Sequence, residues 1–200
     1  QGGHPAPGVA EIVARWQVLA DAELMVEIGY LLETIPEDSQ PMQDLVTESW
    51  IWAYPAADIA LTNLGGFRAD FSAGAIHVGD VVGVLPFDNQ IVELQLTGAQ
   101  VLEVLAFRRD SLAIGGIHRL GDGWMVENSG TWLDSAALYS VLVNNFMYEG
   151  GDGYSMLAEF DPAGYLTGIH YRQPVIDWIF AQESFPAAPL DAAIAALGDQ

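Results

Sequence analysis

Short apolar runs that end at glycine loops constrain this chain more than any other feature of it. Asp58 to Thr62 is one such run, and Asn63-Leu64-Gly65-Gly66 stops it. Leu138 to Val143 is a second, rich in strand-forming residues, and it leads into the loop Gly150-Gly151-Asp152-Gly153. Glycine reaches backbone angles closed to other residues. Each pattern therefore predicts a strand ending in a sharp loop whose backbone can approach a ligand closely.

Around these runs the periodicity changes. Gln1 to Gly8, with its glycines and prolines, reads as a flexible lead-in, and from Val9 the apolar positions Val9, Ile12, Val13, Trp16 and Leu19 fall at helical spacing. Leu24 to Ile35 alternates as a strand does, Pro36 to Pro41 carries turn chemistry, and a helix is predicted from Met42 to Trp52. Val81 to Phe87 and Ile91 to Leu96 read as strands around Asp88-Asn89, and Thr97-Gly98-Ala99-Gln100 is a capping box opening a helix through Phe107. Gly115 to Arg119 and Trp124 to Glu127 form a predicted hairpin, and Pro174 to Gln182 and Leu190 to Leu197 are predicted helices. Strands and helices mix without strict alternation, so the expected class is α+β, with a mixed β-sheet core layered with helices. At 200 residues and 51% apolar content, one well-buried core is expected, over 9–200 behind the lead-in at 1–8.

The charge balance narrows the partners. Against 27 acidic residues there are six basic ones, all arginine (Arg15, Arg68, Arg108, Arg109, Arg119 and Arg172), and the net charge is −21. Such a surface repels phosphate backbones and anionic headgroups, so neither nucleic acid nor a membrane surface is an expected partner. Charges or glycines break every apolar stretch well before the roughly 20 residues that a membrane-crossing helix needs. The absence of cysteine excludes disulfides, thiolate metal sites and thiol nucleophiles. His4, His77, His118 and His170 lack i,i+4 pairing, so no metal ligand is assigned. With so many acids any carboxylate pair is a chance pairing, and no catalytic residue is assigned either. Trp50, Trp52, Trp124, Trp132 and Trp178 read as core or hairpin packing.

Four segments carry more specific information. In order they are Asn63-Leu64-Gly65-Gly66-Phe67-Arg68, Gly79-Asp80-Val81-Val82-Gly83-Val84-Leu85-Pro86-Phe87, Leu96-Thr97-Gly98, and Asn145-Phe146-Met147-Tyr148-Glu149-Gly150-Gly151-Asp152-Gly153-Tyr154. Together, over roughly Ala57 to Tyr154, the chain resembles the C-terminal domain of the 5'-nucleotidase family, and the flanking helices extend the resemblance over most of its length. In that family this domain binds the nucleoside part of the substrate, while a separate N-terminal metallophosphoesterase domain holds two metal ions and hydrolyses the phosphate ester.

The resemblance implies a substrate-binding set. Phe87 and Phe146 occupy the family's base-stacking positions, and each aromatic–base face is worth about 1–3 kcal/mol. Arg68 and Asn63 match residues that contact the nucleotide, with Gly65 and Gly66 allowing close backbone approach. Asp152 matches the aspartate that accepts hydrogen bonds from the ribose hydroxyls, and Asn145 supports either the loop or the base edge. The alternative for Arg68 is a surface pair with Asp70; for the two phenylalanines it is an ordinary place in the core.

Two departures qualify what the resemblance implies. The family's upstream arginines are missing, since no arginine stands between Arg15 and Arg68, and Gln40, Gln43 and Asp44 occupy that neighbourhood. Neutral amides supply no charge, so grip on a phosphate is expected to be weaker than the family norm. The metal motifs of the phosphoesterase domain are also missing. No cofactor is expected on this chain. Its two divalent metal ions would sit on the absent N-terminal domain, and the chain alone is expected to be inactive. It reads as the substrate-recognition part of a longer enzyme, with Gln1 to Gly8 as an interdomain linker. The alternatives are a stand-alone nucleoside- or nucleotide-binding module, or the C-terminal domain of a sibling hydrolase acting on UDP-sugars or 2',3'-cyclic nucleotides. The resemblance favours an extracytoplasmic setting: periplasmic, secreted or cell-surface.

Overall fold

The structure, a computed structural model, describes residues 22–198. The lead-in at 1–8 and the helix expected from Val9 lie outside the described residues. After helical residues at 22–24 come β1 (Glu27–Leu31) and α1 (Gln40–Ala53), then β2 (Ile59–Asn63), β3 (Gly74–His77) and α2 (Val78–Val84). It continues through β4 (Gln90–Thr97), α3 (Gly98–Phe107), β5 (Leu112–Gly115) and a small meander of β6 (Ile117–Leu120), β7 (Gly123–Val126) and β8 (Thr131–Trp132). After β9 (Leu138–Asn144) come α4 (Asn145–Tyr148), α5 (Met156–Phe160), β10 (Tyr165–His170), α6 (Gln173–Ala181) and α7 (Asp191–Ala195).

The fold is α+β around a five-stranded mixed sheet in the order β10-β4-β9-β2-β5. β2 and β9 run parallel, and the other neighbours are antiparallel. Period-two alternation sends the side chains of each central strand to two different cores. Ile59 and Leu61 of β2, Val92, Leu94 and Leu96 of β4, and Val141 and Val143 of β9 pack with Val101, Val104 and Leu105 of α3. Ala60, Ile91 and Leu142 point the other way, into a layer with Leu45, Val46 and Trp50 of α1 and Val175, Trp178 and Ile179 of α6. Trp50 is fully buried and donates its indole N–H to the Tyr171 carbonyl at 2.8 Å, which ties α1 to the entry of α6.

One predicted element has the wrong type. Val81 to Phe87, read as a strand, belongs to α2, which ends at Val84. The valines favour a strand, but the helix buries Val81 and Val84, and Leu85 at its C-terminal cap is buried with them, at three- and four-residue spacing. A local cap settles the choice: His77 and Asp80 form a reciprocal capping box, with the His77 N–H donating to Asp80 Oδ2 at 2.7 Å. The strand predicted over Leu24 to Ile35 is shorter, Glu27–Leu31, and Ile35 is joined to Phe71 by an isolated bridge. Of the tryptophans, Trp50 and Trp178 are core residues, whereas Trp52 and Trp132 are half exposed.

Candidate functional site

Topology brings three loops to one end of the central sheet. β2 and β9 are parallel, so the segments that follow Asn63 and Asn144 leave the sheet on the same side. β4 is antiparallel to β9 with Ile91 opposite Asn144, so the residues just before β4 arrive at that end too. The outer edge formed by the carboxyl ends of parallel strands is where open sheets bind ligands. Here it forms a cleft of about 180 Å³, lined by Asn63, Gly65, Gly66, Phe87, Asn89, Phe146 and Asp152.

The two phenylalanines keep much of their surface in water: Phe87 is 45% and Phe146 41% exposed, which excludes the ordinary core role for both. Their rings do not pack on each other; the aromatic pairs among the described residues are Phe107 with Tyr154 and His170 with Tyr171. Phe87 is held through its backbone, whose N–H donates to the Tyr171 hydroxyl at 3.2 Å. Burial pushes the Tyr171 phenol up to about 12, so that hydroxyl stays protonated. Phe146 lies against the glycine loop: a Cβ on Gly151 would meet its ring carbons at 2.5 Å. Only a residue without a side chain lets the ring settle there.

Asp152 sits in a left-handed conformation, φ 53, which is uncommon for a residue with a Cβ. Flanking turns at Gly150 and Gly153, φ 92 and 88, require glycine and shape the loop around it. Two hydrogen bonds hold the aspartate: Asn63 Nδ2 donates to its Oδ2 at 2.8 Å and Arg108 donates to its carbonyl at 2.8 Å, while Phe107 stands against the next residue, Gly153. Behind Asn63 stands Asn144, whose amide donates to Asn63 Oδ1 at 2.9 Å. The Tyr154 hydroxyl is buried with no hydrogen-bond partner among the described residues, and burial raises its phenol above the usual range.

The remaining expected site residues stand elsewhere. Asn145 does not line the cleft: its Oδ1 accepts from the Gln90 N–H at 2.9 Å and its Nδ2 donates to Glu149 at 3.2 Å, so it braces the start of β4. Arg68 is exposed beside the first glycine loop, with its backbone N–H donating to the Val84 carbonyl at 2.9 Å. Its guanidinium has no hydrogen bond or ion pair among the described residues, and Asp70 accepts instead from the Glu37 N–H. Gln40 and Asp44 bond each other at 2.7 Å and line a separate hollow with Glu48 and Glu127. Burial, against a hydrogen bond from Gly116, raises Glu48 to about 7 there. Asn89, which the sequence marks only as part of a turn, also lines the cleft. No group of three or more His, Cys, Asp or Glu side chains among the described residues could hold a metal ion.

Residues 32–159 match the family described as 5'-nucleotidase, C-terminal domain. The chain belongs to that family. The 5'-nucleotidase C-terminal domain here is 32% identical over 137 residues to the trifunctional nucleotide phosphoesterase protein YfkN of Bacillus subtilis, covering 58% of this chain and 9% of that protein. It is 31% identical over 134 residues to the cell wall protein Lmo0130 of Listeria monocytogenes, covering 56% of this chain and 17% of that one. Its fold matches the crystal structure of the 5'-nucleotidase precursor from Thermus thermophilus with a TM-score of 0.71 at 25% identity, over 88% of this chain and 40% of that chain. The domain therefore spans well under half the length of each of these proteins.

Proposed function

We propose that this domain recognises the nucleoside part of a nucleotide and presents its phosphate ester to a dimetal phosphoesterase domain that carries out the hydrolysis. The observation that carries the reading is the cleft itself. Two half-exposed phenyl rings that do not touch each other, and a carboxylate held by an asparagine, face one space at the carboxyl ends of two parallel strands. Phe87 and Phe146 sandwich the base, in an arrangement that tolerates different bases because each has a π face. The Asp152 carboxylate accepts from the ribose hydroxyls, and Asn63 holds it in place. Gly65 and Gly66 allow the loop backbone to approach the ligand, and Asn89, which lines the same cleft, bonds a base edge. Arg68, exposed two residues beyond Gly66 and with no side-chain partner of its own among the described residues, is the cation for the phosphate.

Hydrolysis is supplied elsewhere. The phosphoesterase domain and its two divalent metal ions belong to the longer protein, a reading supported by the much greater length of the relatives and by the name of the B. subtilis one. An extracytoplasmic setting is supported by the similarity to a cell wall protein. The test is calorimetric: Phe87→Ala and Phe146→Ala should each weaken adenosine binding by about 1–3 kcal/mol with unchanged circular dichroism. Full affinity in both variants would remove the sandwich.

A further inference from the structure

Behind the cleft lies an asparagine that touches no ligand space and yet governs one side of it. Asn144 is fully buried and makes three side-chain hydrogen bonds. Its Oδ1 accepts from the Met147 N–H at 2.8 Å, capping α4, and its Nδ2 donates to Thr62 Oγ1 and to Asn63 Oδ1, each at 2.9 Å. Both amide protons and the carbonyl are thus committed. Turned over, the amide would set donor against donor at Met147 and acceptor against acceptor at Asn63.

That orientation passes to the next residue. Asn63 is 5% exposed, and because its carbonyl is taken by Asn144, its Nδ2 is the end that faces Asp152 Oδ2, at 2.8 Å. An Asn63 turned over would aim its carbonyl oxygen at the carboxylate and repel it. Asp152 Oδ2 is therefore occupied by the protein. Oδ1 accepts no hydrogen bond among the described residues, so it is the oxygen offered to the cleft.

We propose that Asn144 is a positioning residue that sets the selectivity of this site for a vicinal cis-diol, acting through Asn63 to fix the carboxylate of Asp152. The proposal rests on the reading that Asp152 accepts the ribose hydroxyls. A carboxylate fixed at one oxygen presents the remaining lone pairs at a constant angle, and two adjacent hydroxyls can use them together. A carboxylate free to rotate rewards the diol far less.

Titration of the whole chain with adenosine and with 2',3'-dideoxyadenosine tests this, using wild type, Asn144→Asp and Asn144→Ser. Both variants keep an oxygen to cap Met147, and both lose the amide donor to Asn63: an ionised Asp has no proton to give, and the Ser hydroxyl stops one bond short of the Nδ2 position. The wild type should prefer adenosine by roughly tenfold or more, and both variants should fall to within about twofold, with dideoxyadenosine affinity nearly unchanged. In Asn144→Asp the preference should return in part from about pH 8 to about pH 5.5, as the introduced buried carboxyl takes up a proton and becomes a donor. Asn144→Ser should show no such recovery. Equal weakening of both ligands would mark Asn144 as merely structural and overturn the proposal, as would a preference that survives in the variants. A wild type that binds both ligands equally well would instead refute the role of Asp152 itself. Side-chain amide NMR of the wild type decides the matter even where a variant does not fold. Contacts from the Asn144 Nδ2 protons to Thr62 support the relay, and an Asn144 amide turned the other way sinks it.

Discussion

Gly151→Ala isolates the packing of Phe146 from everything else in the cleft. The added Cβ would lie 2.5 Å from Cε1 and Cζ of that ring and 2.6 Å from Cδ1. Carbon atoms rest at about 3.5–4.0 Å, so the ring has to retreat by roughly 1 Å. Backbone conformation is not the obstacle, because Gly151 lies outside the left-handed region that its neighbours Gly150 and Gly153 occupy. Phe146 is 41% exposed and has solvent to move into, so the fold should survive with its melting temperature nearly intact. A displaced ring no longer faces the base squarely. Losing most of one stack, worth about 1–3 kcal/mol, weakens the dissociation constant roughly five- to 150-fold. Adenosine titration beside a circular dichroism melt reads both quantities. Unchanged affinity in a protein that melts like wild type would refute the reasoning, because a ring that can be moved without cost to binding is not a platform.

Two other perturbations probe different parts of the molecule. Glu48 is raised to about 7 by burial, so the folded state holds a proton that the unfolded chain releases near its ordinary value. Stability from this group is present below the unfolded value of 4.5 and is lost as pH rises through about 7, a change on the order of 3 kcal/mol at most. Glu48→Gln should flatten the pH dependence of denaturant midpoints across that window, and a parallel curve for variant and wild type would show that Glu48 is not its source. Arg68→Ala should cost more affinity for adenosine monophosphate than for adenosine in paired titrations; equal losses would take the phosphate away from Arg68.

Much of this arrangement is legible in the amino-acid sequence, for a physical reason. β2, β4 and β9 are central strands that feed two cores, so they are rich in apolar residues, and a glycine loop follows β2 while a capping box follows β4. The edge strands carry no such mark. β10 alternates weakly, leaves Tyr165, Leu166 and Ile169 exposed, and is interrupted by Gly168 at φ 75; β3 is four residues long and begins with a glycine. In the cleft, Asn63, Gly65, Gly66, Phe87, Phe146 and Asp152 come together because each lies at a strand end or in a segment next to one that the parallel pair or its antiparallel neighbour delivers to one end. Asn89 is hidden by its ordinary place in a turn. Asn144 is hidden because its partners at positions 62 and 63 are some eighty residues away along the chain. Asn145 faces β4 rather than the cleft, a consequence of the one-turn helix that starts at that residue.

The most direct test of the central claim is a calorimetric titration of the chain with adenosine and with adenosine monophosphate. Saturable one-to-one binding of both, abolished or strongly weakened by Phe146→Ala, is the predicted result. Absence of heat at millimolar ligand, or binding indifferent to the loss of that ring, would contradict the assignment of this cleft as a nucleoside site.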